Sequence, residues 1–211
     1  MHRHESTPRA AAIGLLATVI AVFVALGGCG SDGSNAEKPA KAATPAEDLV
    51  MQAGDFTNLH DMTKVRGFYV DNRLGHLHQT LAVANSPKGG TYPVGTILQL
   101  VPQEAMVKRR KGFDPATKDW EFFFLTTDAT GTKIVTRGTD DVVNRFGGNC
   151  AACHAAADDR FDMVCEHTHG CAPLPVGDDV FHGIQEADPR PSHGAIRATG
   201  GTATTATRPA S

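Results

Sequence analysis

Cys150-Ala151-Ala152-Cys153-His154 is a CxxCH pentapeptide. Two thiols three residues apart can reach the two vinyl groups along one edge of a porphyrin and form thioethers. The histidine that follows can then offer an imidazole nitrogen to the iron, which is the chemistry of c-type haem attachment. In a cytosolic chain a CxxC pair is more often a redox or zinc site. The compartment therefore decides between the readings.

The N-terminal sequence points out of the cytoplasm. Arg3 and Arg9 precede an almost purely apolar run, AAAIGLLATVIAVFVAL, over residues 10–26, and Gly27-Gly28-Cys29 follows it. Charge, apolar run and small residues in that order make a secretory signal, assigned to residues 1–28. The run is slightly short for a spanning helix. LGGC resembles the lipobox of bacterial lipoproteins, which implies lipidation of Cys29 and anchorage to a membrane face of the cell envelope, towards the periplasm or the exterior. An uncleaved anchor with an incidental cysteine is the alternative. Residues 29–48, rich in small residues, proline and charge, read as a flexible tether.

The chain has five cysteines: Cys29, Cys150, Cys153, Cys165 and Cys171. If lipid takes one and haem two, Cys165 and Cys171 remain for each other in an oxidising compartment. Two further readings stay open for Cys165-Glu166-His167-Thr168-His169-Gly170-Cys171. One is a metal site, either two Cys with two His or a zinc ribbon shared with Cys150 and Cys153. The other is a haem-side role for one of the histidines. The formal net charge is −3, and no basic stripe with interleaved aromatics points to nucleic acid.

Positioning such a site requires a packed domain, expected over residues 49–189. Residues 66–71 (RGFYVD) and 96–101 (TILQLV) read as strands. Leu74, Leu77, His78, Leu81 and Ala84 share helical spacing, with a stop at Asn85-Ser86-Pro87. Residues 103–111 read as a short helix or a bend. Residues 120–127 (WEFFFLTT) form the clearest strand, and Asp128-Ala129-Thr130-Gly131 turns it into a hairpin with residues 133–137. Thr139 or Asp140 would cap a short helix through Phe146, closed by Gly147-Gly148. From residue 190 the composition predicts a disordered tail. The fold class is mainly β, an antiparallel sheet with a few short helices, α+β at most.

Small helical c-type cytochromes carry CxxCH early and a methionine ligand several tens of residues later. Here the motif is late, and Met163 is too near it to cross to the other face of a porphyrin. His76 and His78 are weaker candidates for a sixth ligand, with plain helix surface as the alternative, and Met106 reads as core or surface packing rather than a ligand. Lys108-Arg109-Arg110-Lys111 reads as a solvated basic face, or as a partner for haem propionates or an acidic redox protein. Phe122, Phe123 and Phe124 alternate across a strand, so at least one faces the core and could pack on the porphyrin.

Trp120-x-Phe122-Phe123, then CAACH, Ala156 or Ala157 and Asp162-Met163-Val164 together resemble the cytochrome P-460 family and the related beta-type cytochromes c-prime. The Pro93-x-Gly95-Thr96 turn and Tyr69-Val70-Asp71 fall at comparable positions, so the resemblance covers roughly residues 60–165. It implies an antiparallel β fold, covalent haem c, and an iron open on one face to nitric oxide or hydroxylamine. In cytochromes P-460 a lysine on the strand after the Gly-Thr turn is cross-linked to the porphyrin. The matching position here is Leu100, which has no nucleophile and points to the gas-binding relatives.

Three functions follow as expectations. The first is a lipid-anchored c-type cytochrome that carries electrons or binds a small gas. The second is an oxidoreductase acting on hydroxylamine or nitric oxide. The third is a zinc-stabilised binding module without haem.

Overall fold

The computed structural model describes residues 47–174 and 176–193. The signal, Cys29 and most of the tether lie outside them, as do residues 194–211 of the expected tail. No helix among the described residues is long and apolar enough to cross a membrane.

The described strands form one six-stranded antiparallel sheet in simple chain order. They are β1 (Thr63–Val65), β2 (Phe68–Asn72), β3 (Thr96–Gln99), β4 (Glu104–Lys108), β5 (Trp120–Asp128) and β6 (Gly131–Gly138). The mainly β expectation holds. Aromatic residues suit β5 to an interior place in the sheet, between β4 and the edge strand β6. Its hairpin with β6, expected from the turn at residues 128–131, closes through the two-residue link Ala129-Thr130, in which the Asp128 carboxylate accepts from the Thr130 N–H at 2.7 Å. A bulge leaves Val135 of β6 unmatched between the pairs Phe124–Thr136 and Leu125–Ile134. At the start of β3, Gly95 occupies φ +84° in the Pro93–Thr96 turn, and a β-carbon there would strike the Leu74 side chain. This is the third position of a type II turn, where a positive φ favours glycine.

Side chains alternate across the strands and divide the core in two. On the front face Phe68, Val70, Leu98, Met106, Trp120 and Phe122 form one cluster, with Val142, Met163 and Val164 packed onto it. On the rear face Ile97, Ala105, Val107, Phe123 and Leu125 form another, closed by Met51 and Phe56. Helix α1 (Leu77–Ala84) covers part of the front face through Leu77, Leu81 and Ala84. Asn85 caps it by donating to the Leu81 carbonyl at 2.9 Å, as the sequence signals.

Residues 103–111 correct the expectation of a helix or bend. Met106 is paired with Leu98 and Phe122 inside β4, so it is core and not a ligand. The basic run is not a solvated face at its first half, because Lys108 and Arg109 are buried. Arg109 grips both oxygens of Asp48 at 2.9 and 2.8 Å and also pairs with Glu121, which Arg137 meets from the other side at 2.6 Å. The hydrogen bonds from Arg109 hold the Asp48 carboxyl at about 2, below its ordinary value. Their acidic partners are distant in sequence, so the run looked solvated. Asp48, inside the expected tether, is therefore already part of the packed structure.

Residues 139–149 form no helix. The Asn144 side chain accepts from the N–H groups of Phe146 and Gly148 at 2.9 Å each, and Val143 bridges Asn149. These local bonds hold the segment as turns, a competition that asparagine is suited to win. Two helices follow, α2 (Cys150–His154) and α3 (Asp178–Glu186). Gln185 of α3 is buried and donates to the carbonyls of Gly67 and Leu100 at 2.7 and 2.8 Å, tying the helix to the sheet. Beyond it Arg190 is buried against Asp188, so ordered packing continues past residue 189.

Candidate functional site

The CxxCH segment is one short helix, α2, laid on the front face of the sheet. Asn149 is its N-cap, its side-chain oxygen accepting from the Ala152 N–H at 2.8 Å. On a helix, residues three and four apart share a side. Cys150, Cys153 and His154 therefore project together. Among the described residues Cys150 and Cys153 are the free cysteines, the first half-buried against the front cluster and the second exposed. Burial pushes the Cys150 thiol up to about 11, and the nearby Glu104 carboxylate adds to the rise. Burial also raises the Glu104 pKa.

His154 has a defined tautomer. Its Nδ1 lies 2.8 Å from the Met163 carbonyl oxygen. A carbonyl only accepts, so Nδ1 carries the proton and Nε2 keeps the lone pair. Burial lowers the imidazole pKa, with the Met163 bond acting the other way. A neutral imidazole with its second nitrogen anchored on a backbone oxygen is the arrangement of a metal-ligating histidine. Its ring lies 5.3 Å from that of Phe122.

The register assigns the three phenylalanines. Phe122 and Phe124 belong to the front face with α2, and Phe123 is fully buried at the rear. Leu100 lies partly buried on the front face, together with Cys150, Ala151, Leu77 and Leu81. Val143 and Phe146, in the segment that leads into α2, are 44% and 59% exposed. A cleft of about 320 Å³ borders α2, lined by Ala151, Ala152, Ala155 and Met163 among others, without either thiol.

Cys165 and Cys171 are disulfide-bonded, with Cα atoms 5.6 Å apart. The bond takes two of the four thiols that a zinc ribbon would use. Between them, the buried His169 stacks on Phe161 at 3.6 Å, and its Nδ1 meets the Val164 carbonyl at 2.7 Å. His167 is exposed. No group of three or more His, Cys, Asp or Glu side chains among the described residues is arranged to hold a metal ion. Of the remaining candidates, His76 meets Glu47 at 2.9 Å, and His78 is exposed.

The disulfide loop nevertheless borders the site. Cys165 Sγ is 3.4 Å from the Cys153 carbonyl oxygen, and Arg66 pairs with Glu166 at 2.5 Å. Replacing both Cys165 and Cys171 by serine should lower stability by about 2 kcal/mol, the chain-entropy value for so short a loop. Chemical denaturation measures the loss. Any haem carried on Cys150 and Cys153 should stay nearly unchanged, and its disappearance would instead give the loop a role in holding it.

Sequence reasoning missed the Met163 carbonyl at the site and, elsewhere in the fold, helix α3. The first is backbone and has no side-chain signature. The second carried a signal in Asp178-Asp179, acidic residues in the first turn of a helix. Comparison with models of protein families, with curated proteins and with solved structures returned no match.

Proposed function

We propose that the chain is an exported, lipid-anchored c-type cytochrome that binds one covalent haem and uses it for electron transfer or for binding a small gas such as nitric oxide. The observation that carries the reading is the His154 tautomer, fixed by Met163 beside two thiols that no disulfide consumes. Cys150 and Cys153 would hold the group through thioethers, and His154 Nε2 would ligate its iron. When bound, haem supplies a one-electron couple and a coordination site for diatomic ligands. The chain supplies an apolar front face, where Leu100 stands in place of a nucleophile. Such surroundings favour uncharged ligands, because they offer no hydrogen bond to a polar one. Placement in the cell envelope rests on residues 1–29, and the disulfide is in keeping with an oxidising compartment.

The test is the full chain, matured with the cytochrome c assembly machinery, weighed by mass spectrometry and examined in the ferrous state with and without nitric oxide. Added haem mass, a Soret band that moves on nitric oxide, and no steady turnover of hydroxylamine are expected. Turnover with an electron acceptor would convert the reading to an oxidoreductase. Colourless protein without added mass would overturn it, and one bound zinc would select the metal-stabilised module.

A further inference from the structure

We propose that Lys108, Asp162 and Trp120 form a clamp that positions the Met163 carbonyl on His154 and thereby sets how strongly that imidazole donates to a metal at Nε2. The proposal rests on the haem reading above and assigns these three residues a positioning role within it.

The backbone shows why a clamp is needed. Asp162 and Met163 follow a single 3-10 turn and adopt φ of +53° and +64° in succession. Side-chain-bearing residues enter the left-handed region rarely, and two in a row persist only where the surroundings over-determine them. Four donors do so here. Trp120 Nε1 donates to the Asp162 carbonyl at 2.7 Å. Lys108 Nζ donates to both Asp162 carboxylate oxygens at 2.9 and 2.8 Å, and also to the Lys118 carbonyl at 2.6 Å. The Tyr92 N–H donates to the same carboxylate at 2.8 Å, and the Gly90 N–H to the Arg160 carbonyl at 2.8 Å. Gly89 permits that last approach, since a β-carbon there would sit 2.1 Å from the Arg160 oxygen.

Each donor comes from β4, β5 or the loop before β3, so the sheet itself dictates the conformation of the turn. The next carbonyl along the chain is Met163, which receives His154 Nδ1–H. Buried ion pairs are weak devices for stability and are often replaceable by apolar side chains. Lys108 and Asp162 are buried, at 5% and 4% exposure, and a charged pair there is explained by the strained turn it holds. The hydrogen bond on a ligand's second nitrogen raises the basicity of the first. Loosening the clamp should therefore weaken the donor without removing it.

The test uses the holoprotein in two variants, Trp120→Phe and the paired Lys108→Met with Asp162→Asn. Haem content and melting temperature report the merely structural effect. The iron–histidine stretching band in the ferrous Raman spectrum and the reduction potential report the positioning. In variants that keep full haem, the band should move to lower wavenumber and the potential should become more positive. An unchanged band and potential at full haem content overturn the clamp. If a variant does not fold, Asp162→Asn alone carries the same test, because asparagine tolerates the left-handed backbone. If the wild type carries no haem, the functional reading fails separately. The clamp is then judged by nitrogen NMR of His154 in the full chain: a loss of the pure Nδ1–H tautomer in the variants supports it, and an unchanged tautomer overturns it.

Discussion

His154→Ala protein should leave the maturation machinery with little stable haem. Soret absorbance per folded chain is expected to fall at least about tenfold, since even groups that merely orient a metal ligand typically contribute 10–100-fold in affinity. Thioether formation needs Cys150 and Cys153, but a retained iron also needs an axial donor, and His154 is the imidazole that α2 places beside both thiols. The fold should survive, because the side chain is half-buried at the margin of the front cluster and helps build no strand. Circular dichroism will report that survival. A spectrum identical to the wild type would refute the ligand assignment, and with it the role given to Met163.

Phe123→Ala should do the reverse. Phe123 is completely buried at the rear of β5, edge-on to Phe56 at 5.0 Å and covered by the Arg137 guanidinium at 4.9 Å from the ring centroid. Truncating so large a side chain removes its transfer free energy and leaves a cavity, together costing about 4 kcal/mol. For a domain of this size the loss corresponds to a melting point lower by roughly 10 °C. Denaturant titration and thermal melting check both figures. The visible spectrum per folded molecule should not change, because the sheet separates this residue from α2. A loss below about 1 kcal/mol would mean that the rear layer collapses around the gap. An altered spectrum would mean that the two faces are coupled.

Much of this arrangement was legible in the chain. β5 announced itself by its aromatics, its hairpin by Asp128 and Gly131, and α1 by its spacing and its Asn-Ser-Pro stop. The CxxCH spacing was legible as a local pattern, and it folds as the single short helix α2. What escaped was non-local. β4 alternates Glu104, Met106 and Lys108 against Ala105 and Val107, yet both faces are packed, so the charged side that suggests a helix or bend is in fact covered. Lys108 and Arg109 looked solvated because Asp162, Asp48 and Glu121 are far away in sequence. The turns at 139–149 had helical capping residues at their ends, but Asn144 satisfies the backbone differently. The register that separates Phe122 from Phe123 depends on which strands pair, which alternation alone does not specify.

The bulge at Val135 has a consequence for colloidal behaviour. β1 and β6 are the edges of the described sheet, and an exposed edge is a template for another chain to add a strand. β1 is three residues long. β6 is eight residues long, and it is interrupted at Val135 and bears Lys133 and Arg137. A short edge at one end, and a kinked, positively charged one at the other, both disfavour fibril-like growth. A high local concentration of the chain would then not by itself lead to β-aggregation.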